Sequence, residues 1–385
     1  MAVLVRWCGP VVCGLLLLPW TCSGQSLDEG NPWFVRCGVT ADRIVWTNPF
    51  ARTDDRGNAL IDGGQDLTIE IGRQTDGREE WHPLYGMPSY GVGFSVSSFR
   101  NDVLHTRPVD VYAFFSWPFV KFTDHLDLTT DFGMGLSWHW KQINEKTNAS
   151  ETVLGSDLNA YIDWGFYLRW ASTHRTIVYT GIDYTHRSNG GMAQPDQGIN
   201  VLGPRIAVRY NFGPDFPKGP SVHPHTFEPS WEYFVAGAAG AKSVAEGTTP
   251  ALQRDFGTLD GTGGAEWHFY RVGKLAVGTD LTYDGSTGAR IDAGNTPVRA
   301  SAGDRWALGV YGGYEHVIGK FGAIVQPGFI VLRGYEGASS SRFYQRYGWR
   351  YHINDHLWSS VSLRAIDGRI ADALEFGAGY QIGPR

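Results

Sequence analysis

Two side chains in the stretch from Gly181 to Asn200 have the types and spacing for acyl-transfer chemistry. His186 and Ser188 stand two residues apart at the end of a segment that reads as a strand. An extended backbone puts both on one face, roughly 6.5 Å apart along the strand. Side chains at a strand end can lean together over that gap, and a serine beside a neutral imidazole is the minimum set for nucleophilic acyl transfer. The next segment carries Asn200 on its apolar face, so His186, Ser188 and Asn200 can meet on one surface. A bulge in either strand would break that alignment. The bland reading stands beside it: a serine two residues from a histidine is common by chance, and a Gly/Asn-rich loop is ordinary loop composition.

The elements that must position these residues alternate with period two. From Leu158 to Trp170 the even positions are Leu158, Ala160, Ile162, Trp164, Phe166, Leu168 and Trp170, against Asn159, Tyr161, Asp163, Gly165, Tyr167 and Arg169. Phe132, Met134, Leu136, Trp138 and Trp140 oppose Asp131, Gly133, Gly135, Ser137, His139 and Lys141 in the same way. Weaker runs lie near 66–74, 89–100, 108–120, 175–188 and 200–213. After a Pro-rich break from Gly213 to Pro229, others lie near 230–242, 262–271, 273–284, 304–317, 321–334, 342–351, 355–366 and 371–382. That is about fifteen strands. Bacterial membrane barrels close with even numbers, which predicts an all-β, outer-membrane antiparallel β-barrel of about 14 strands, in a range of roughly 12–16. In 176–188 the even face is mostly apolar and looks at lipid, so the candidate pair lies on the outside of the barrel, at its rim. Asp183 has the opposite parity and points inward.

Composition fits this class. The chain has 385 residues, 50 of them Gly, with 14% aromatic and only 19% charged. No stretch after the leader approaches the ~18 consecutive apolar residues of a membrane helix, so a membrane can be crossed only by strands in a closed barrel, where every backbone group is paired. A soluble sandwich or propeller also alternates, but seldom shows so much Trp and Phe on its apolar side. Residues 1–24 read as a signal peptide, with Arg6, an apolar run from Val11 to Leu18, and Cys22-Ser-Gly24 before a cleavage at Gln25. Pro19, Trp20 and Thr21 do not suit a lipoprotein signal at Cys22. Cys8, Cys13 and Cys22 leave with the leader, and only Cys37 remains, which excludes an intrachain disulfide and a thiolate metal site. Arg6 is the only charge removed, so the formal net charge of −6 becomes −7. Nothing basic suggests nucleic acid. Residues 25–64 read as a lead-in or an irregular first strand. His82 and His139 read as ordinary histidines without a second ligand at metal spacing, and Asp54, Asp55 and Asp255 as solvated loop charges. The sequon at Asn148 carries no weight in a bacterial protein.

The stretch His186-Arg-Ser188-Asn189-Gly-Gly191, followed by Gln194-Pro195-Asp-Gln-Gly198-Ile199-Asn200, resembles the signature of the PagL family of outer-membrane lipid A 3-O-deacylases. Trp81-His-Pro-Leu-Tyr-Gly-Met-Pro-Ser89, Phe114-Phe-Ser-Trp-Pro-Phe119 and Leu154-Gly-Ser-Asp-Leu-Asn159 are similar to segments of longer acyloxyacyl hydrolases. The resemblance extends from about Trp81 to Phe212, with no comparable signature from about 214 onward. It divides the chain into a leader (1–24), a lead-in (25–64), a deacylase-like part (65–213) and C-terminal barrel strands of unassigned role (214–385). The resemblance implies that Ser188 is the nucleophile and His186 its general base. It further implies an oxyanion hole made by the Asn189 side chain and the Gly191 N–H. The substrate it implies is an acyl ester at the 3-position of lipid A, in the lipopolysaccharide of the outer-membrane bilayer, with no metal or cofactor. The sequence departs from the family at Asn200, where the best-known members carry glutamate. An acid there orients the imidazole and stabilises its cation; asparagine orients through its carbonyl oxygen but supplies no charge. The alternative is a porin, transport or structural barrel without catalysis, because larger barrels can hold a channel. A phospholipase would use the same nucleophile.

Overall fold

The computed structural model describes residues 33–45, 63–99, 107–140, 154–173, 175–193, 198–212, 222, 225–246, 249–288, 301–335, 341–368 and 370–383. The leader, Asp54, Asp55, the Asn148 sequon and the motif residues Gln194 to Gln197 lie outside them. Among the described residues the chain is all-β, with sixteen antiparallel strands that close as two eight-stranded barrels. The chain divides into two compact units. One holds the first barrel; the other holds the second barrel together with residues 189–193.

The first barrel comprises β1 (Trp33–Ile44), β2 (Gly63–Gln74), β3 (Ser89–Phe99), β4 (Val109–Lys121), β5 (Leu126–Trp138), β6 (Asn159–Ala171), β7 (Thr176–Ser188) and β8 (Ile199–Asn211). It closes where β1 pairs with β8, from Phe34↔Asn211 to Ile44↔Val201. The stretch read as a lead-in or irregular first strand thus supplies a regular 12-residue β1 and the start of β2. Strands of 11–13 residues reach or exceed the ~9–11 that cross a bilayer when tilted.

Outward residues are apolar, with Ile71, Phe94, Trp164, Phe166, Trp170, Ile182 and Ile206 all exposed, while inward residues are charged or polar and buried. That is the reverse of a water-soluble domain, and it is what hydrocarbon outside and a filled interior demand. One outward expectation is overturned. Trp140 is buried against Phe99, Leu154, Ile199 and Val201, because His139 adopts φ 67° after β5 ends and breaks the alternation.

The interior of the first barrel is packed in layers. Nearest the β7–β8 connection lies the apolar cluster around Trp140. Next comes Arg187, fully buried, bidentate to Asp110 (2.7 and 3.1 Å) and within 3.3 Å of Asp66. Deeper, Arg36 pairs with Glu70 and Asp131, and Arg205 with Glu70 (3.1 Å), Asp183 (3.3 Å) and Asp163 (3.7 Å). Arg169 pairs with Asp127, and Arg209 lies 3.6 Å over the Phe34 ring. These paired inward charges fill the interior of the first barrel as a plug.

The second barrel comprises β9 (Ser230–Glu246), β10 (Thr249–Tyr270), β11 (Gly273–Asp284), β12 (Trp306–Ile318), β13 (Phe321–Arg333), β14 (Phe343–His352), β15 (Leu357–Ile366) and β16 (Ile370–Ile382), closed by β16 on β9. It too exposes an apolar face (Trp231, Tyr233, Val235, Val277, Phe376) around ionic layers. Lys274 meets Glu232 at 2.6 Å, and Arg350 meets Glu266 and Glu315. Arg346 joins Asp260, Asp280 and Glu375, and Lys242 joins Asp284 and Asp372. The count of sixteen falls within the expected range, and the division into two filled barrels removes the large lumen on which a transport reading rests.

Candidate active site

β7 reads Thr-Ile-Val-Tyr-Thr-Gly-Ile-Asp-Tyr-Thr-His-Arg-Ser, with the odd residues buried inside the barrel and the even residues turned outward. Its registers with β6 and β8 run without a shift from Ile177 to Ser188 and from Thr176 to Arg187 respectively. Tyr184, His186 and Ser188 therefore share the outward face. His186 lies directly opposite Asn200 on β8, and Ser188 opposite the small Ala160 on β6. The site sits at the end of the barrel whose β5–β6 and β7–β8 connections (139–158 and 189–198) are longer than the β4–β5 and β6–β7 turns (122–125 and 172–175) at the other end.

The three residues meet. His186 Nε2 is 3.0 Å from Ser188 Oγ, and His186 Nδ1 is 2.6 Å from Asn200 Oδ1. With Asn200 accepting at Nδ1–H, the Nε2 lone pair faces the serine hydroxyl and can take its proton. All three are buried, with His186 9% and Ser188 5% exposed, which keeps competing water off the pair. Tyr184, which the sequence shows only as one more even-face residue, donates its hydroxyl to the same Asn200 Oδ1 at 2.6 Å. Asp183 is excluded as a third member. It points inward to Tyr167 and Arg205.

Gly198 closes the site from the β8 side. It has φ 67°, and a Cβ there would lie 3.0 Å from His186 Cε1, 3.2 Å from Arg187 O and 3.4 Å from Ser188 Cβ. If the chain is the esterase that the sequence resemblance implies, Gly198→Ala is expected to lower hydrolysis at least about tenfold by crowding the imidazole, and to cost about 1–2 kcal/mol for the left-handed backbone. Hydrolysis rates and urea titration of the purified variant measure the two effects. Wild-type activity in the alanine variant would show that the loop does not set the imidazole position.

Asn189 and Gly191, the expected oxyanion donors, belong to the second unit. Asn189 Oδ1 accepts from the Gly191 N–H (3.1 Å) and the Ala193 N–H (3.2 Å). The Gly191 N–H is therefore engaged within its own loop, where the carbonyl end of the Asn189 amide holds it. His82 lies in a one-turn helix, α1 (Trp81–Leu84), where its Nδ1 accepts from the Gly77 N–H at 3.1 Å. Burial holds its imidazole below the usual histidine range. It is a loop-building residue. His139 sits exposed in the turn after β5.

Two family models match consecutive parts of the chain, one on each barrel. Residues 67–209 match the lipid A 3-O-deacylase (PagL) model, and residues 230–384 match the acyloxyacyl hydrolase C-terminal domain model. The chain belongs to the PagL-type lipid A 3-O-deacylase and acyloxyacyl hydrolase family. The second match also gives the C-terminal strands a family of their own, where the sequence offered no signature. A search of curated proteins finds no match. Among solved structures, the outer membrane enzyme PagL is 16% identical and overlaps 46% of this chain and 99% of its own, with a TM-score of 0.31. Neisserial surface protein A is 12% identical over 48% of this chain and 100% of its own, at 0.33. A mutant of the Rh. blastica porin is 10% identical over 91% and 99%, at 0.17. All three scores are low, and the family assignment rests on the two sequence models.

Proposed function

We propose that the first barrel is an outer-membrane serine esterase that removes the ester-linked 3-hydroxyacyl chain from the 3-position of lipid A. The observation that carries this reading is the Ser188–His186–Asn200 arrangement on the outward face of a membrane barrel, in a chain of a lipid A deacylase family. Membrane barrels have short periplasmic turns and longer outer loops, so the long-connection end that bears the site corresponds to the outer leaflet, where lipid A resides. Residues 1–24 serve as the export leader in this reading.

His186 Nε2 accepts the Ser188 proton as Oγ attacks the ester carbonyl. The family resemblance assigns stabilisation of the oxyanion to the Asn189 amide and the Gly191 N–H. Collapse releases the sugar 3-hydroxyl, which takes the proton from His186. Water, deprotonated by the same imidazole, then hydrolyses the acyl-enzyme. Every proton passes through one nitrogen, so the tautomer of His186 is decisive.

The test is mass spectrometry of lipid A from outer membranes of cells with and without this chain. Loss of one 3-hydroxyacyl chain from the 3-position is expected. Loss of a secondary acyl chain instead would move the cleaved bond to an acyloxyacyl ester, and unchanged lipid A with folded protein present would overturn the reading.

A further inference from the structure

We propose that Tyr184 is the positioning residue that makes an asparagine serviceable as the third member of this triad, by holding the amide with its oxygen, and not its nitrogen, toward His186. The claim deepens the esterase reading and rests on it for its kinetic part. A carboxylate presents an acceptor to an imidazole whichever way it turns. An amide does not: rotating Asn200 by half a turn exchanges an acceptor for a donor at almost the same place. With Nδ2 toward the ring, Nδ1 must accept, the imidazole proton moves to Nε2, and the nitrogen facing Ser188 Oγ can no longer take a proton. In serine triads the wrong tautomer costs about 10⁴-fold in kcat.

The geometry selects the productive orientation. Asn200 Oδ1 has two acceptor sites and faces two groups, the Tyr184 hydroxyl and His186 Nδ1, each at 2.6 Å. A phenol donates well, but its oxygen accepts weakly because the ring draws on its lone pairs, so the Tyr184 hydroxyl favours a carbonyl over an NH₂ group. The residue reaches this position by chain geometry. It lies two residues before His186 on the same outward face of β7, opposite Leu202, itself two residues beyond Asn200 on β8. All the groups concerned belong to the first barrel's unit.

The consequence is a coupling that a merely structural tyrosine would not show. Tyr184→Phe keeps the ring and removes the donor. With Asn200 present, kcat is expected to fall about ten- to a hundredfold with KM little changed, part of the full wrong-tautomer loss. In an Asn200→Glu background, where either oxygen accepts, the same change is expected to cost no more than about threefold. The experiment compares the full-length wild type, Tyr184→Phe, Asn200→Glu and the double variant, folded in detergent micelles with purified lipid A as probe. The ¹⁵N resonances of the His186 ring are recorded alongside, with assignment against His186→Gln. In wild type the proton is expected on Nδ1, and in Tyr184→Phe a substantial share is expected on Nε2. Equal kinetic losses in the two backgrounds, an unaltered tautomer in Tyr184→Phe, or a wild-type proton already on Nε2 would each overturn the proposal. If no variant hydrolyses lipid A, the esterase reading fails, and the tautomer comparison alone still decides the role of Tyr184.

Discussion

Ser188→Ala is expected to abolish ester hydrolysis while the barrel stays folded. Removing the nucleophile of a comparable triad costs on the order of 10⁶ in kcat, so the variant should fall to the rate of the protein-free control. The structural cost is small by comparison. The hydroxyl lies 3.0 Å from His186 Nε2, and a single hydrogen bond of this kind contributes about 1 kcal/mol. Nothing in the barrel's ladder or its ionic interior depends on it, because Ser188 faces outward. Hydrolysis of purified lipid A reads the first effect, and heat-dependent gel mobility of the folded barrel reads the second. Residual hydrolysis within about tenfold of wild type would remove Ser188 from the role of nucleophile. Failure to fold would mean that the contact with His186 holds the strand end together, and activity would then be lost for another reason. His186→Ala should fall to the same low level, and the double variant should lose no more than either alone, since the two act as one unit.

How much of this arrangement is legible in the chain depends on the range of the interaction. Alternation is local, and it places fifteen strands and assigns the outward face of Tyr184, His186, Ser188 and Asn200 before any pairing is known. Closure is not local. The same inward Arg, Asp and Glu pattern suits one wide barrel or two narrow ones, and what separates them is the pairing of Phe34 with Asn211, which leaves no trace near either residue. The Pro-rich break between Gly213 and Pro229 marks the division only in hindsight. β1 is hard to read because its outward residues include Cys37, Ala41 and Arg43 among the apolar ones, and its inward residues run from Phe34 through Gly38 to Asp42, so the contrast between faces is weak. Trp140 departs from its parity because a single residue, His139, takes a positive φ. In the site, the types His, Ser and Asn announce their chemistry. Tyr184 does not, because a tyrosine on a lipid-facing strand is ordinary interface composition, and only the distance to Asn200 gives it a role.

The residue between His186 and Ser188 carries the second large effect, through stability rather than chemistry. Arg187 points the opposite way from its neighbours and is fully buried in the first barrel. Its guanidinium is bidentate to Asp110 on β4, reaches Ser97 on β3 at 2.9 Å and Asp66 on β2 at 3.3 Å, and lies 5.0 Å over the Tyr161 ring on β6. One side chain thereby ties the end of β7 to four other strands, and the two site residues ride on the other face of that tie. Arg187→Met keeps the length and removes the charge, leaving two buried carboxylates without their shared cation; breaking a buried pair in this way costs about 3–5 kcal/mol. A large drop in the urea midpoint is therefore expected, together with a fall in kcat although Arg187 touches no substrate. Arg187→Lys should recover only part of either, since an ammonium restores charge but not the bidentate fork. Asp110→Asn in the Met background should recover stability by removing one of the stranded charges, and it should recover little activity because the tie across the strands is still missing. A Met variant that unfolds at the wild-type urea midpoint would show that these carboxylates are held by something other than Arg187, and the rigidity of the His186–Ser188 strand end would then need a different source.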